Sequence, residues 1–378
     1  MARKKSRSPM FTWVFVTLLS SSGLGGYLNP DWPLIGPIVQ QVLAVGKGSG
    51  SAATGPDGQP AAGANVGPGA IGGLSDRITS QLQSRYGSTD AKLASAPLNT
   101  ASPGASNRPA GSLLIASYNI QVLGQSKMSK PDVVNVLAHV IRQFDIVAIQ
   151  EVRAKDDNVI PDLVAAVNAN GGQYNYLVGP RLGRTVSTEQ YAFVFDTSRV
   201  EYDPSAVGTI SDPTDLLHRE PYAARFRART NSPQHAFTFW MVNTHTDPDE
   251  VPEEVAALAD VFKIMQTARA DEDDVILLGD LNASESQLGP LGQVPGISWA
   301  VHGVMTNTRQ TKAYDNILFH AQSTAEFTGR WGVYDLQRIL GLSADDALKV
   351  SDHYPVWAEF QIWEAPKTNQ FSGRFQGN

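Results

Sequence analysis

The sequence predicts an α/β domain in which one β-sheet packs on another and helices cover the outside. Apolar segments typical of buried strands recur between residues 113 and 362. Amphipathic segments with helical spacing separate some of these strands. The chain has 378 residues, 42% of them hydrophobic, which is enough to bury a sizeable core. Mixed strands and helices with this much apolar surface are typical of a layered domain.

The strands and helices of this domain can be placed in order along the chain. Two segments, residues 131–142 and 252–270, have the apolar spacing of amphipathic helices. Seven segments are rich in β-branched, aromatic and other apolar residues. We predict these seven as strands: SLLIASYNI (112–120), DIVAIQE (145–151), YAFVFD (191–196), AFTFWMVNTH (236–245), DVILLGDLN (274–282), YDNILF (314–319) and YPVWAEF (354–360).

The first 111 residues differ in composition from the rest of the chain. In residues 1–30, Arg3, Lys4, Lys5 and Arg7 precede an apolar run, the usual order in a signal peptide or N-terminal membrane anchor. Residues 31–111 are rich in Gly, Ala, Ser and Pro, so we expect a disordered low-complexity linker. Residues 112–364 form the predicted folded domain, and residues 365–378 form a polar tail. We therefore expect an extracytoplasmic protein, secreted or membrane-anchored through its N-terminus.

Composition excludes several kinds of chemistry. The formal net charge is −7, which argues against a protein that holds nucleic acid by bulk positive charge. A local basic rim around an acidic site stays compatible with this charge. The chain contains no cysteine, so disulfides, thiolate zinc sites and cysteine nucleophiles are excluded. Any bound metal must therefore use oxygen and imidazole ligands.

Polar side chains interrupt the apolar strands at or near their ends. One such residue is ordinarily a cap or a turn residue, whereas five strand ends with this composition are not explained by capping. Strand ends are also where α/β proteins place ligands. The pattern predicts a site for a hard cation with two imidazoles beside it. The residues concerned are Asn119, Glu151, His245, Asp280 with Asn282, and Asp352 with His353.

These residue types suit metal-assisted hydrolysis of a phosphodiester. Glu151, Asp352 and Asp280 offer carboxylate oxygens to Mg²⁺ or Mn²⁺, and the amides of Asn119 and Asn282 offer neutral donors or ligands. Histidine titrates near neutral pH, so one of the pair can take a proton from water while the other protonates the leaving oxygen. Each histidine needs a carboxylate to hold its tautomer. The candidates are Glu189 for His245 and Asp315 for His353.

The same residues carry a family resemblance. The segments SYNI, IQEVR, NTHTDP, GDLN, YDNI and SDHYPV have the order and approximate spacing of the endonuclease/exonuclease/phosphatase superfamily. Four longer segments are similar to its deoxyribonuclease I branch: GQSKMS, PRLGRTVSTEQYAFVF, HREPYAARF and GLSADDALKVSDHYPV. The resemblance covers residues 113–362, which is essentially the whole predicted domain.

The resemblance implies a four-layer α/β-sandwich and endonucleolytic hydrolysis of DNA to 5′-phosphorylated products with little sequence specificity. It implies that His245 and His353 are the acid–base pair and that Glu189 and Asp315 orient them. It further implies metal and phosphate roles for Glu151, Asp352, Asp280 and Asn119, and phosphate contacts for Asn282 and Thr306. Arg153 matches an arginine that enters the minor groove, and Arg184 and Arg219 match basic positions facing the groove or the phosphates.

The sequence departs from the branch at several positions. Ser187 stands where the branch has a tyrosine that stacks on a sugar, and Gln121 replaces an arginine. Val304 stands in place of an acidic ligand of one structural calcium site, so we expect that site to be lost. A second calcium site is retained as a hypothesis, with Asp212, Asp215 and Glu220 as its residues.

Two other functions share these core motifs. One is a phosphodiesterase or phosphatase acting on sphingolipid or inositol-phosphate headgroups. The other is a catalytically silent binding module on the same fold. Neither histidine nor Glu151 is missing, which favours an enzyme. We expect a monomer that acts on DNA with Mg²⁺ or Mn²⁺, with Ca²⁺ as a further candidate cofactor. The N-terminal segment leaves a membrane tether open, and the sequence indicates no protein partner.

Overall fold

A computed structural model of the protein describes residues 108–184 and 188–365. The predicted export segment, almost all of the predicted linker, most of the polar tail and Ser187 lie outside the described residues. Within the described part, no helix is both long enough and apolar enough to cross a membrane.

The first sheet has six strands in the order β11-β12-β1-β2-β4-β3. Strands β1 and β2 run parallel, and the other neighbours in this sheet are antiparallel. The strands are β1 (Ser112–Leu123), β2 (Ile146–Val152), β3 (Tyr174–Val178), β4 (Gln190–Asp196), β11 (Phe327–Val333) and β12 (Val356–Gln361).

The second sheet also has six strands, in the order β5-β6-β7-β8-β10-β9. Strands β7 and β8 are its parallel pair, so each sheet contains one parallel pair near its centre. The strands are β5 (Val200–Thr209), β6 (Tyr222–Ala228), β7 (Thr238–His245), β8 (Val275–Asp280), β9 (Ile297–Trp299) and β10 (Asp315–His320).

Seven α-helices occur in the described residues. Both segments predicted as helices are present, but the second ends at Gln266, four residues before the predicted end. The helices are α1 (Gln125–Met128), α2 (Pro131–Ile141), α3 (Val159–Asn168), α4 (Val251–Gln266), α5 (Gly289–Gly292), α6 (Leu336–Leu340) and α7 (Ala344–Val350).

The side-chain alternation of β1 shows how the layers form. Leu113 and Ile115 point between the two sheets, where they join the core that contains Phe239 of β7. Leu114 and Ala116 point to the other face of the sheet and pack in the core beneath α2 and α3. Because both faces of β1 are buried, its sequence is continuously apolar rather than alternating.

The second sheet is covered in the same way. Val242 of β7 and Leu277 of β8 pack against the apolar face of α4, which includes Leu258 and Phe262. The molecule therefore has four layers, with helices, two sheets and helices in succession. This confirms the predicted four-layer α/β-sandwich.

The sequence prediction missed five strands, β3, β5, β6, β9 and β11. Strands β3, β5, β9 and β11 lie at sheet edges, where one side of the strand needs no partner and polar residues are tolerated. Strand β5 contains Pro204 and a register shift against β6, both of which obscure its strand pattern. Strand β1 continues past Asn119 to Leu123 through a register shift in its pairing with β2, so Asn119 lies within the strand and not at its end.

Candidate active site

A cleft of about 390 Å³ opens at the carboxyl ends of the two parallel strand pairs. Its walls come from both sheets, because the ends of β2, β7 and β8 meet there with the loop that precedes β12. The lining residues are Glu151, Arg153, His218, Arg219, His245, Asp247, Pro248, Asp249, Asp280, Asn282, Tyr314, Asp352 and His353. Eight of them are residues that the sequence predicted for metal binding, catalysis or contact with DNA.

The first histidine, His245, is the last residue of β7 and is buried. Its Nδ1 lies 2.9 Å from Glu189 Oε1, which is the pairing expected from the sequence. Arg219 Nε also lies 2.5 Å from Glu189 Oε1. Burial alone would raise the pKa of Glu189, but the hydrogen bond from His245 and the nearby positive charges outweigh burial and lower it. Glu189 is therefore an ionised partner that holds the imidazole with Nδ1–H toward it.

The second histidine, His353, precedes β12 of the first sheet and is held by a carboxylate in the same way as His245. Its Nδ1 lies 2.9 Å from Asp315 Oδ2, again the expected pairing. Thr306 Oγ1 donates a hydrogen bond of 2.6 Å to the same carboxylate oxygen. Burial opposes protonation of His353, but the charges of Asp315 and Asp280 outweigh burial and raise its pKa to about 11. The ring of Tyr314 stacks on His353 with the centroids 5.9 Å apart.

The two imidazoles converge on Asp280. With each Nδ1 directed to its own carboxylate, His245 Nε2 lies 3.6 Å and His353 Nε2 lies 3.5 Å from Asp280 Oδ2. Burial opposes ionisation of Asp280, but the charges of His353 and His245 outweigh burial and hold its pKa below the ordinary value. Both free imidazole nitrogens therefore face the same point at the base of the cleft.

The predicted metal ligands surround this point. Asn119 Nδ2 donates to Asp280 Oδ2 at 2.8 Å and to Glu151 Oε1 at 3.2 Å. On the opposite side, Gln121 Nε2 donates to Asp352 Oδ2 at 2.8 Å. Gln121, the replacement for the arginine of the branch, thus orients a carboxylate of the cleft.

Two oxygens of this set test whether a cation fits. Asn119 Oδ1 and Asp352 Oδ1 are both buried and have no hydrogen-bond partner. A buried oxygen left unpaired is costly unless a ligand supplies the missing interaction. The oxygen-rich donor set is also the one that Mg²⁺ and Mn²⁺ prefer. The residues present therefore fit a divalent cation held by Glu151, Asp352, Asn119 and Asp280.

One geometric grouping differs from the predicted ligand set. Within the residues that the structure describes, two groups near the cleft have acidic and histidine ligand atoms within 4.8 Å of one another. One consists of His218, Glu250 and Glu254 at the edge of the cleft, and the other of Asp280, Asp315 and His353 at the predicted site. The hydrogen bond between His353 and Asp315 explains this proximity without a metal ion. We therefore keep the set that includes Glu151 and Asp352.

Backbone conformation around the cleft is strained. Glu151, Val122 and Asn282 have φ angles of 61°, 48° and 46°, which side chains with a Cβ rarely adopt. Such a residue costs about 1–3 kcal/mol and persists where the surrounding fold imposes it. The amide of Val122 donates to Glu151 Oε2 at 2.9 Å, so the irregular backbone of β1 holds the carboxylate that ends β2. The strain is concentrated where ligand-binding side chains must be aimed.

The four residues predicted to contact DNA or phosphate occupy different environments. Arg153 lines the cleft with 30% of its side chain exposed. Arg219 also lines it but is only 4% exposed, and its Nε donates to the carbonyl of His245. Arg184 is not among the residues lining the cleft and pairs with Asp215 and Glu250. Thr306 lies beneath the surface, fully buried against Asp315.

The residues of the calcium hypothesis are not brought together as a ligand group. Asp212 accepts hydrogen bonds from Thr214 and from the amide of Leu217, and Asp215 pairs with Arg184. Among the described residues, the groups of acidic and histidine ligand atoms within 4.8 Å of one another do not include Asp212, Asp215 or Glu220. Asp212 thus serves the local turn.

Sequence reasoning missed several lining residues. His218 Nδ1 lies 3.5 Å from Asp247 Oδ2, and both residues line the cleft. Buried Glu254 of α4 accepts hydrogen bonds from the amides of both residues, which fixes the two loops against each other. The signal was present, because His218 and Asp247 lie inside the HREP and NTHTDP segments. Neither residue lies at the end of a strand, so a prediction based on polar residues at strand ends does not include them.

Comparison with known proteins gives matches to a protein family, to named deoxyribonucleases and to solved structures. Residues 116–353 match the Endonuclease/Exonuclease/phosphatase family. Deoxyribonuclease gamma of Rattus norvegicus is 30% identical over 269 residues, which are 66% of this chain and 84% of that protein. Deoxyribonuclease-1 of Gallus gallus is 30% identical over 267 residues, 66% of this chain and 92% of that protein. Among solved structures, TDP2 of D. rerio complexed with a single-strand DNA product covers 66% of this chain and 99% of that one, with 18% identity and a TM-score of 0.49.

Proposed function

The chain belongs to the endonuclease/exonuclease/phosphatase family, within its deoxyribonuclease I-like branch, and we propose that it is a divalent-metal-dependent endodeoxyribonuclease with little sequence specificity. The deoxyribonucleases named above align with it over most of their length, which supports DNA as the substrate. Apart from Pro248 and Tyr314, the residues lining the cleft are charged or strongly polar, which suits a hydrophilic phosphodiester.

One observation carries the proposed mechanism. Two histidines from different sheets each have Nδ1 directed to a buried carboxylate and Nε2 directed to Asp280. A proton acceptor and a proton donor therefore face the same reacting group. General acid–base help of this kind contributes about 10²–10⁴-fold to a rate.

The proton transfers follow from this geometry. Nε2 of one histidine takes a proton from water as the water oxygen forms a bond to phosphorus. Nε2 of the other histidine gives a proton to the 3′ oxygen as the P–O3′ bond breaks. Glu189 and Asp315 keep the imidazoles in the required orientation and stabilise their protonated forms. The products carry a 5′-phosphate and a 3′-hydroxyl.

The cation has a separate task. Held by Glu151, Asp352, Asn119 and Asp280, it would neutralise the negative charge that builds up on the phosphate oxygens. Arg153 stands beside Glu151 on the open side of the cleft, where it can contact the DNA backbone or groove.

A plasmid-nicking assay on the purified full chain tests the substrate and the cation together. We expect Mg²⁺ or Mn²⁺ to support conversion of supercoiled plasmid to nicked circles, and EDTA to stop it. A DNA ligase should reseal the first nicks, because a 5′-phosphate faces a 3′-hydroxyl. The absence of nicking by the wild type, together with release of choline phosphate from sphingomyelin, would transfer the assignment to lipid headgroups.

A further inference from the structure

A second group of acidic side chains lies at the opposite end of the second sheet from the cleft. It consists of Asp274, Glu326 and Glu364, called the basal cluster below, whose carboxylate oxygens lie within 4.8 Å of one another. Asp274 directly precedes β8, whereas Asp280 of the cleft is the last residue of that strand. Because a strand rises about 3.3 Å per residue, roughly 20 Å of β8 separates the two sites.

The basal cluster joins the two sheets. Glu326 precedes β11 of the first sheet, and its carbonyl accepts a hydrogen bond from Gln361 of β12. Glu364 follows β12 and accepts a hydrogen bond from the amide of Thr238, the first residue of β7 in the second sheet. Any ligand that connects these three carboxylates therefore connects the two halves of the sandwich.

Two of the three carboxylates have unsatisfied oxygens. Asp274 and Glu326 are only 3% and 2% exposed. Asp274 Oδ1 and Glu326 Oε2 are buried without a hydrogen-bond partner, and the hydroxyl of Thr324, close to Asp274, is also buried and unpaired. Native proteins rarely leave buried polar atoms in this state, and a bound ion can supply the missing partner. A cluster of acidic residues alone does not indicate a metal site, but two buried carboxylate oxygens without a partner do indicate a bound cation.

Charge in this region increases the need for a cation. Among the described residues, the two arginines of β6 near this region, Arg225 and Arg227, are engaged with other carboxylates. No ion pair of the described residues includes Asp274 or Glu326. Without a cation, the fold must therefore hold the carboxylates of the basal cluster protonated or repelling one another.

The basal cluster is also reachable from solvent. A cavity of about 400 Å³ borders it, with Asp274 and Glu364 among the lining residues. Further carboxylates, Glu272 and Asp273, line the same cavity. A cation could enter through this opening and keep water molecules as additional ligands.

We propose that the basal cluster is a structural Ca²⁺ site that clamps the two sheets together at the end of the sandwich remote from the cleft. The three carboxylates carry six oxygens, of which Glu326 Oε1 and Glu364 Oε1 already accept hydrogen bonds from the backbone. Ca²⁺ accepts six to eight oxygen ligands in variable geometry, and water molecules can complete the set. Mg²⁺ demands a stricter octahedron and is held mostly by water, so it suits three converging carboxylates less well. The site is independent of the proposed nuclease chemistry and of the loop formed by Asp212 and Asp215.

The test separates this site from the cleft. The full chain carrying Glu151→Gln and Asp352→Asn, which remove cleft ligands, is compared with the same chain carrying Glu326→Gln in addition. Tb³⁺ serves as the spectroscopic probe for Ca²⁺, excited through tryptophan. Trp240 and Trp363 are suitably placed, since the amide of Trp240 donates to the carbonyl of Asp274 and Trp363 precedes Glu364. A thermal melt in EDTA and in Ca²⁺ gives the second measurement.

The chain carrying only Glu151→Gln and Asp352→Asn is the parent. We expect the parent to show tryptophan-sensitised Tb³⁺ emission that falls when Ca²⁺ displaces Tb³⁺, and we expect Glu326→Gln to abolish this emission. At a Ca²⁺ concentration about 100 times Kd, the melting temperature of the parent should rise by about 5 °C over its value in EDTA. Glu326→Gln should remove that rise and be at least as stable as the parent in EDTA, because repulsion is relieved. Glu253→Gln, an exposed carboxylate on α4, is the matched control and should change neither quantity.

Two results would overturn the proposal. One is a parent whose stability does not respond to Ca²⁺. The other is emission and a Ca²⁺-dependent rise that survive Glu326→Gln unchanged. If Glu326→Gln fails to fold, Glu364→Gln at the more exposed ligand replaces it with the same expectations.

Discussion

At the scale of single residues, the two imidazole–carboxylate pairs define the site. The sequence predicted both partners, because the strand-end pattern and the resemblance indicated His245 with Glu189 and His353 with Asp315. It could not predict that both Nε2 atoms face Asp280. That convergence depends on how the two sheets pack, which no local pattern encodes.

The surroundings of the three arginines could not be predicted from the sequence either. The sequence grouped Arg153, Arg184 and Arg219 as DNA contacts, but their surroundings differ. Arg219 is buried beneath the cleft wall between Glu189 and the carbonyl of His245. Arg184 is committed to acidic side chains outside the cleft. Burial and pairing decide what an arginine can contact, and both are tertiary properties.

Replacing the buried arginine should cost stability. Arg219→Met would leave the buried charge of Glu189 with less compensation, and breaking a buried pair in this way costs about 3–5 kcal/mol. Denaturant unfolding of the full chain measures the loss. Arg184→Met removes exposed ion pairs and should cost at most about 1 kcal/mol. Equal losses of unfolding free energy in the two variants would contradict a stabilising role for the buried pair of Arg219 and Glu189.

Replacing the exposed arginine should instead weaken DNA binding. Arg153→Ala, made in a His245→Ala background so that DNA is not consumed, should lower the salt dependence of duplex binding by about one charge. Fluorescence anisotropy over a series of salt concentrations gives this slope. Arg181→Ala is the matched control, since Arg181 pairs with Asp157 and is not among the residues lining the cleft. An unchanged slope for Arg153→Ala would remove Arg153 from the DNA-binding surface.

At the scale of elements, most interior strands were predictable from the sequence, whereas the interior strand β6 and the four edge strands were not. Strands β1, β2, β7 and β8 are apolar on both faces because helices cover one side and the opposite sheet covers the other. Edge strands such as β5 and β11 tolerate polar residues and shifts of register, so their sequences resemble loops. The register shift in β1 could not be predicted from the sequence either. It matters for the site, because the amide of Val122 in this irregular part of β1 donates a hydrogen bond to Glu151.

Strand β8 carries a close approach that only glycine permits. Gly279 has φ +157°, and a Cβ there would lie 1.8 Å from the carbonyl oxygen of Thr244 in β7. Gly279→Ala must therefore push β7 and β8 apart next to His245 and Asp280, and we expect a loss of about 3 kcal/mol or more. Chemical denaturation measures it. Gly111→Ala, where a Cβ meets no atom within 4 Å, should be nearly neutral. A stable Gly279→Ala variant would show that the two strands can separate without cost.

At the scale of the whole molecule, the cleft exists because two similar half-sandwiches face each other. Each sheet contributes one parallel strand pair, and each histidine-carboxylate pair joins a residue at the end of one sheet to a residue at the end of the other, so the cleft forms where the two sheets meet. The layered fold was predictable from composition and strand pattern. For the cleft, only the identity of its residues was predictable. The distances between these residues depend on how the Phe-rich inner faces of the two sheets pack against each other.

The central claim is that His245 and His353 act together on one phosphodiester. The most direct measurement compares the initial rates of plasmid nicking by the wild type, His245→Ala, His353→Ala and the double variant. Exposed His235→Ala serves as the control, and thermal melts confirm folding. We expect each single variant to be slower by about 10²–10⁴-fold and the double variant to be no slower than the poorer single one, because the pair acts as a unit. Near-wild-type rates in either single variant, or a double-variant loss equal to the product of the two single losses, would contradict it.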